Sequence, residues 1–387
     1  MRWPSLRVGT WVALGLLTGA QPVVAQTVRG RVEQADGVPI TGAFIMLEDS
    51  TGVVSSRVLS TESGSFRITA PAAGSYRLRA DRIGYTAAVS PWLQLAAGED
   101  LSYRFVVEPD PVRLREIRVE ERARCSILPD EGIELQRVWD EALKAITATA
   151  WTGQQAYFRF DAVMHEQLLD RQGRPVSEAV LEEVRFYGRH PFRAIPTRDL
   201  VLGGFVQEPE GQVAYYAPDA DVLLSDAFVR RHCFRLVRGQ GESAGLLGLS
   251  FEALPQSRLP DIEGVMWLDP ADAELRWLDY TYVNLASSID QEGLGGMVEF
   301  ARLPSGAWII RSWWIRVPVV EWIPAQRQRP GRYRLTGINE GGGQVVSVWL
   351  TARIAGSLPT DTLRVSPPPD SLLMRFDLEE PGSRSTN

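Results

Sequence analysis

Residues 74–81 read GSYRLRAD. Tyr76, Leu78 and Ala80 alternate with Arg77, Arg79 and Asp81, the period of two that a strand with one buried face produces. The same alternation recurs on both sides. Upstream, Ala43, Ile45 and Leu47 alternate in GAFIMLED (42–49); downstream, Tyr103, Phe105 and Val107 do so in LSYRFVVE (101–108). Ala35-Asp36-Gly37, Glu62-Ser63-Gly64, Ala72-Ala73-Gly74 and Ala97-Gly98 punctuate the segments. Short strands between turn signals at that spacing predict a small antiparallel β-sandwich of about seven strands, here over residues 26–108.

Composition bounds the rest. The chain has 387 residues, 44% hydrophobic and 23% charged, with 34 Gly and 25 Pro, a globular composition with length for two domains. The net charge of −7 argues against a nucleic-acid partner, which would call for a basic surface. Two Cys and three His in the whole chain exclude Cys-rich zinc modules and iron–sulfur ligation. No cofactor and no metal is expected.

Residues 1–25 read as a secretory signal peptide: Arg2 and Arg7, an apolar run from Val8 to Ala20, then Val23-Val24-Ala25 before Gln26. No later segment approaches 18 apolar residues, so no transmembrane segment is expected in the mature chain. The expected location is the periplasm, the outer membrane or the cell surface.

Several motifs of the first segment occur together in order: Gly30-Arg31-Val32, Gly37-Val38-Pro39-Ile40-Thr41-Gly42-Ala43, Ser63-Gly64-Ser65-Phe66, Gly74-Ser75-Tyr76-Arg77-Leu78 and Gly84-Tyr85. This pattern resembles the carboxypeptidase regulatory-like domain, a transthyretin-like, carbohydrate-binding-like sandwich. The resemblance implies a non-catalytic accessory with a structural or interaction role, and it supplies no catalytic residue to transfer.

Beyond a linker over 109–129, residues 130–355 change character. Asp130–Ala150 predicts an amphipathic helix with Leu135, Val138, Trp139, Ala142, Leu143 and Ile146 on one stripe. Then come segments that read as hairpin strands: Tyr157–Gln167 with Ser177–Tyr187, Ile262–Leu268 with Glu274–Val283, and Met297–Leu303 with Ala307–Val317. Arg332–Ile338 and Gln344–Thr351 read as another pair, turning at Gly341-Gly342-Gly343. The expected class is mainly β, with an α+β second domain of one helix plus an antiparallel curved sheet or half-barrel. That order resembles the half-barrel of periplasmic lipoprotein carriers, which implies a concave face able to hold acyl chains. His232-Cys233-Phe234, Gly264–Leu268 and Trp308–Val317 resemble exported bacterial two-domain proteins, a resemblance that implies no activity. Residues 356–387, rich in Pro, Ser, Thr and Asp, read as a disordered tail.

Candidate chemistry is sparse. Gly241-Glu242-Ser243-Ala244-Gly245 matches the esterase elbow G-x-S-x-G. In that fold the triad His follows the Ser, whereas His165, His190 and His232 all precede Ser243. His165-Glu166 lacks the second His of H-E-x-x-H. Acidic pairs such as Glu182-Glu183 or Asp219/Asp221 could serve glycoside chemistry or calcium, but nothing in the sequence sets their distance apart, and they read as solvated surface. No catalytic residue is therefore assigned, and an enzyme is not expected. Cys125 and Cys233 are expected to form a disulfide in an exported chain. Seven Trp lie between 267 and 349. Trp267, Trp277, Trp308, Trp313 and Trp314 are candidates for an apolar pocket, with core packing and a sugar platform as the other readings. The expected function is a non-enzymatic envelope protein whose sandwich is a spacer or interaction module for an envelope partner. The alternative is a carrier of an apolar, lipid-like or carbohydrate ligand on the concave face.

Overall fold

A computed structural model describes residues 26–109, 133–155, 158–187, 195–207, 213–285, 293–324, 332–350 and 363–364. The expected signal peptide, Cys125 and His190 lie outside the described residues. So do nearly all of the linker and, except for Leu363 and Arg364, the expected tail.

The first unit contains β1 (Gln26–Glu33), β2 (Phe44–Asp49), β3 (Val54–Leu59), β4 (Ser65–Ala70), β5 (Gly74–Asp81), β6 (Ala88–Val89), β7 (Leu93–Leu95) and β8 (Asp100–Val106). One sheet has the order β4-β1-β8; the other runs β3-β2-β5-β6, with β7 also on β5. The alternation of 74–81 does what its chemistry demands: Tyr76, Leu78 and Ala80 are buried with Ile45, Leu47, Val28 and Ile68 in one apolar cluster between the sheets. Gly30 is glycine for a packing reason, since a Cβ there would lie 2.5 Å from the Phe66 ring. The count is eight strands, because β6 and β7 are two- and three-residue pieces too short to show a period. One pairing departs from the antiparallel expectation: β1 and β8 run parallel, from Thr27 opposite Asp100 to Glu33 opposite Val106. The chain crosses from one sheet to the other between β7 and β8, so no hairpin dictates the direction of β8.

The second unit contains α1 (Ile133–Gln154), β9 (Phe158–Leu169), β10 (Val180–Tyr187), α2 (Thr197–Gly203), β11 (Val206–Gln207), β12 (Ala214–Tyr215), α3 (Ala220–Leu223) and α4 (Asp226–Arg231). It continues with β13 (His232–Arg238), β14 (Leu247–Ala253), β15 (Asp261–Leu268), β16 (Leu275–Val283), β17 (Gly295–Arg302), β18 (Trp308–Ile323), β19 (Arg332–Leu350) and β20 (Leu363–Arg364). Ten strands form one antiparallel sheet, ordered β10-β9-β19-β18-β17-β16-β15-β14-β13, with β20 on β19. The 22 residues of α1 give a rod of about 33 Å, while the five spacings from β13 to β18 span about 24 Å. The helix lies across one face of the sheet, packing on β13, β14, β16 and β18. Leu135, Val138, Trp139, Ala142 and Ile146 are buried along it, and Trp139 meets Phe234 edge-on at 5.0 Å.

Two local readings are corrected. Gly341-Gly342-Gly343 is no turn; it lies inside the continuous β19, and none of the three glycines has positive φ. A Cβ on Gly343 would lie 2.5 Å from the Trp313 indole and 2.7 Å from Met164 Sδ, and one on Gly342 2.6 Å from the His165 ring. The glycines make room for large neighbours across the sheet. Strict alternation along Ala307–Val317 would set Trp308, Ile310 and Trp314 on one face and Ile309, Trp313, Ile315 and Val317 on the other, and this reading is corrected too. β18 carries a bulge: Glu299 pairs with Ser312 but Phe300 with Ile310, leaving Arg311 as the extra residue. The bulge inverts the alternation, so Trp308, Ile310, Trp313 and Ile315 share the helix-side face, and Trp314 lies on the other.

The two units are joined by specific contacts. Ile83 belongs to the core of the second unit. The Gly84 N–H donates to Glu141 at 3.0 Å. Lys144, the only lysine in the chain, donates to the Tyr85 carbonyl at 3.3 Å and to Glu141 at 2.7 Å. Phe44 meets Trp151 edge-on at 5.4 Å.

Candidate ligand site

On the helix-side face, the hairpin β11–β12 and the residues after it cover part of the sheet. A cavity of about 430 Å³ remains beneath them, lined by Tyr215, Tyr280, Val298, Trp313, Ile315 and Met164 among others. β16 sets Tyr280 in the lining, and Tyr282, two residues on, shares its face. Tyr282 is fully buried and donates to the Tyr216 carbonyl at 3.1 Å. Tyr215 meets Tyr282 edge-on at 5.2 Å, which fixes the covering segment to the sheet. Burial pushes the Tyr215 hydroxyl up to about 12. It also pushes Tyr280 and Tyr282 up, so all three are neutral donors at ordinary pH.

Tyr280 is one of a few buried side chains among the described residues with an unsatisfied polar atom. It is 5% exposed; its hydroxyl lies beside that of Tyr282, whose proton goes to the Tyr216 carbonyl, and it makes no well-formed hydrogen bond of its own among the described residues. Glu166, Glu182 and His165 also line the cavity. The site is thus an aromatic and aliphatic chamber with one orphan donor and acids on the β9–β10 side.

Of the five candidate tryptophans, Trp313 and its neighbour Trp314 both border the cavity; Trp308 is buried near α1, and Trp267 and Trp277 lie on the opposite face. There the two indole N–H groups converge on Asp279, at 2.6 and 3.2 Å. Burial raises the Asp279 pKa, against the lowering effect of the two indole hydrogen bonds. On the same face the Arg316 guanidinium lies 4.6 Å from the Trp314 ring centroid. Arg316 also reaches Glu340 at 2.6 Å, and His165 approaches Glu340 at 3.4 Å. Burial raises the Glu340 pKa, but His165 and Arg316 outweigh it and hold the carboxyl below its ordinary value.

The remaining candidates have local roles. Ser243 is buried at the end of a 3₁₀ turn, Gly241–Ser243, where its hydroxyl donates to the Gln240 carbonyl at 3.0 Å and accepts from the Gln240 N–H at 3.1 Å. His232 is 1% exposed, its two ring nitrogens 2.8 Å from the Phe228 carbonyl and 3.1 Å from that of Ile262. Cys233 is buried in β13. No group of three His, Cys, Asp or Glu able to hold a metal occurs among the described residues. No described helix is long and apolar enough to cross a membrane. The cavity tyrosines were missed by the sequence reading; the available signal was Tyr280-Thr281-Tyr282, an aromatic alternation in a strand.

The model of the carboxypeptidase regulatory-like domain matches residues 27–108. Those residues are a carboxypeptidase regulatory-like domain. No curated protein matches the chain. Among solved structures, a type II cohesin–X-dockerin interface mutant from Acetivibrio cellulolyticus shares 19% identity over 22% of this chain and 58% of its own, with a TM-score of 0.18. A streptococcal ancillary pilin shares 11% over 44% of this chain and 51% of its own, at 0.20. A 9R-lipoxygenase from Cyanothece shares 10% over 74% of this chain and 43% of its own, at 0.18. The chain thus spans under two thirds of each of these three structures, and at such scores none fixes a shared fold. The regulatory-like domain is non-catalytic. Between it and α1 lies a second cleft of about 590 Å³, lined by Phe44, Arg79, Asp81, Asp140 and Lys144 among others, a charged seam in contrast to the aromatic chamber.

Proposed function

We propose that this is a non-enzymatic, exported binding protein of the cell envelope. The regulatory-like domain acts as a docked spacer and interaction module for an envelope partner, and the aromatic cavity of the second unit takes a ligand with an apolar body and one hydrogen-bond acceptor. The observation that carries the reading is the Tyr280 hydroxyl, buried against the cavity and unpaired among the described residues. An unpaired buried hydroxyl costs about 1–3 kcal/mol, and an acceptor on the ligand removes that cost. A fatty acid fits this chemistry: its chain suits Trp313, Ile315, Val298 and Met164, and its carboxyl accepts from Tyr280.

Titration with lauric acid, followed by tryptophan fluorescence and by the shift in melting temperature, tests the proposal. Saturable quenching with a raised melting temperature is expected, both reduced by Trp313→Ala; no binding would overturn the ligand reading. Ester hydrolysis abolished by Ser243→Ala would overturn the non-enzymatic part. Export rests on the pattern of residues 1–25 and is tested by fractionating cells that express the full chain. A second reading, a carbohydrate on the opposite face, is favoured by the Trp267–Asp279–Trp277 arrangement; titration with soluble oligosaccharides separates the two.

A further inference from the structure

The geometry points to a two-fold dimer of this chain, in which β10 pairs with β10 of a second copy. β10 ends the ten-stranded sheet; β9 is its partner on one side, and no described strand pairs its other edge. Natural edge strands are blunted by charged side chains, Pro, bulges or cover. β10 reads VLEEVRFY; it has no Pro, its pairing with β9 is unbroken from Val180 to Tyr187, and its charges, Glu182, Glu183 and Arg185, include both signs. Val180 is 71% exposed, Leu181 44% and Tyr187 49%, so the free edge carries apolar side chains on both faces.

Charge decides the occupant and the register. Two copies of one strand lie side by side and antiparallel only through a two-fold axis perpendicular to the sheet. That operation keeps each face on its own side, so only residues of like parity stand opposite one another. Centred on Glu183, it would set Glu183 against itself, and like charges directly opposite destabilise a pair. Centred on Val184, it sets Glu183 opposite the second copy's Arg185 twice, Leu181 opposite Tyr187 twice, and Val184 against itself. The strand is self-complementary in this second register. The same axis leaves both ligand cavities on one face of a continuous sheet. They adjoin across the joint, because Val180 and Glu182 line the cavity as well.

One strand pair buries less than a standard interface, so the dimer is expected to be concentration-dependent. Sedimentation velocity of the full exported chain over a concentration series tests it. Dimer formation that rises with concentration is expected. Glu183→Arg sets two guanidinium groups opposite each other twice and is expected to weaken dimerisation about tenfold. The double variant E183R/R185E exchanges the charges and is expected to restore it. Thermal melting of each variant checks that the fold is intact, since Arg185 also pairs with Asp161 at 2.8 Å. A chain that stays monomeric throughout, or a Glu183→Arg variant that dimerises like the unsubstituted protein, would overturn the proposal. So would a folded double variant that does not regain the dimer.

Discussion

Gly42, in the turn before β2, and Gly306, in the turn between β17 and β18, meet backbone to backbone: a Cβ on either would land on the Cα of the other. Both have positive φ, 68° and 85°. The contact joins the regulatory-like domain to the second unit.

Gly306→Ala is therefore expected to lower stability by about 2–4 kcal/mol, adding left-handed strain to a steric clash. Gly52→Ala is the control, because Gly52 also has positive φ, 84°, but a Cβ there meets nothing within 4 Å. Chemical denaturation of both variants isolates the contact. Equal losses would mean that the two turns do not bear on each other.

Glu340 should give an acid-sensitive contribution. Its folded pKa is below the ordinary value, so the stability it confers is present above the unfolded pKa and is lost as pH falls through the folded one. Glu340→Gln leaves Arg316 beside an uncharged amide and is expected to cost about 2–4 kcal/mol at neutral pH. Urea unfolding from pH 7 downward should show the two proteins converging in acid. A constant gap would refute the assignment.

Tyr280→Phe removes a hydroxyl that no described residue satisfies. Stability without ligand is expected to stay level or rise by up to about 1 kcal/mol, while affinity for lauric acid falls about fivefold. Calorimetry of the free and loaded protein reads both. A large loss of stability in the free protein would mean the hydroxyl already has a partner.

Cys125 and Cys233 are expected to be joined in the exported protein. Cys233 is buried, and no described cysteine is a free thiol. A loop of 107 intervening residues corresponds to about 4–5 kcal/mol in the chain-entropy model, less any strain. Intact mass after alkylation, with and without reductant, decides it; two alkylated thiols without reductant would refute the bond.

What could be read from the sequence, and what could not, follows from the range of each interaction. The alternation at Tyr76, Leu78 and Ala80 is local, and it placed the sandwich and its core. The stripe from Leu135 to Ile146 is likewise local and placed the helix. The Arg311 bulge is set by pairing with β17, so Trp313 and Trp314 could not be assigned to faces from β18 alone. Gly341–Gly343 signalled a turn by composition; their actual role depends on Trp313, His165 and Met164 on two neighbouring strands. The cavity also escaped, because Tyr215 and Tyr280 are 65 residues apart in the chain and meet only through the covering segment.

The parallel pairing of β1 with β8 has a mechanical consequence. The docking loops, with Gly42 and Tyr85, lie at the Glu33 end of β1: Gln34 donates to the Tyr85 hydroxyl at 3.2 Å, and the Gly42 N–H reaches the Ser60 carbonyl close by at 2.9 Å. Gln26 is at the other end, about 23 Å away at the usual strand rise. Tension applied between Gln26 and the second unit therefore runs along β1 and loads its hydrogen bonds to β4 and β8 in shear, all together, rather than peeling them one at a time.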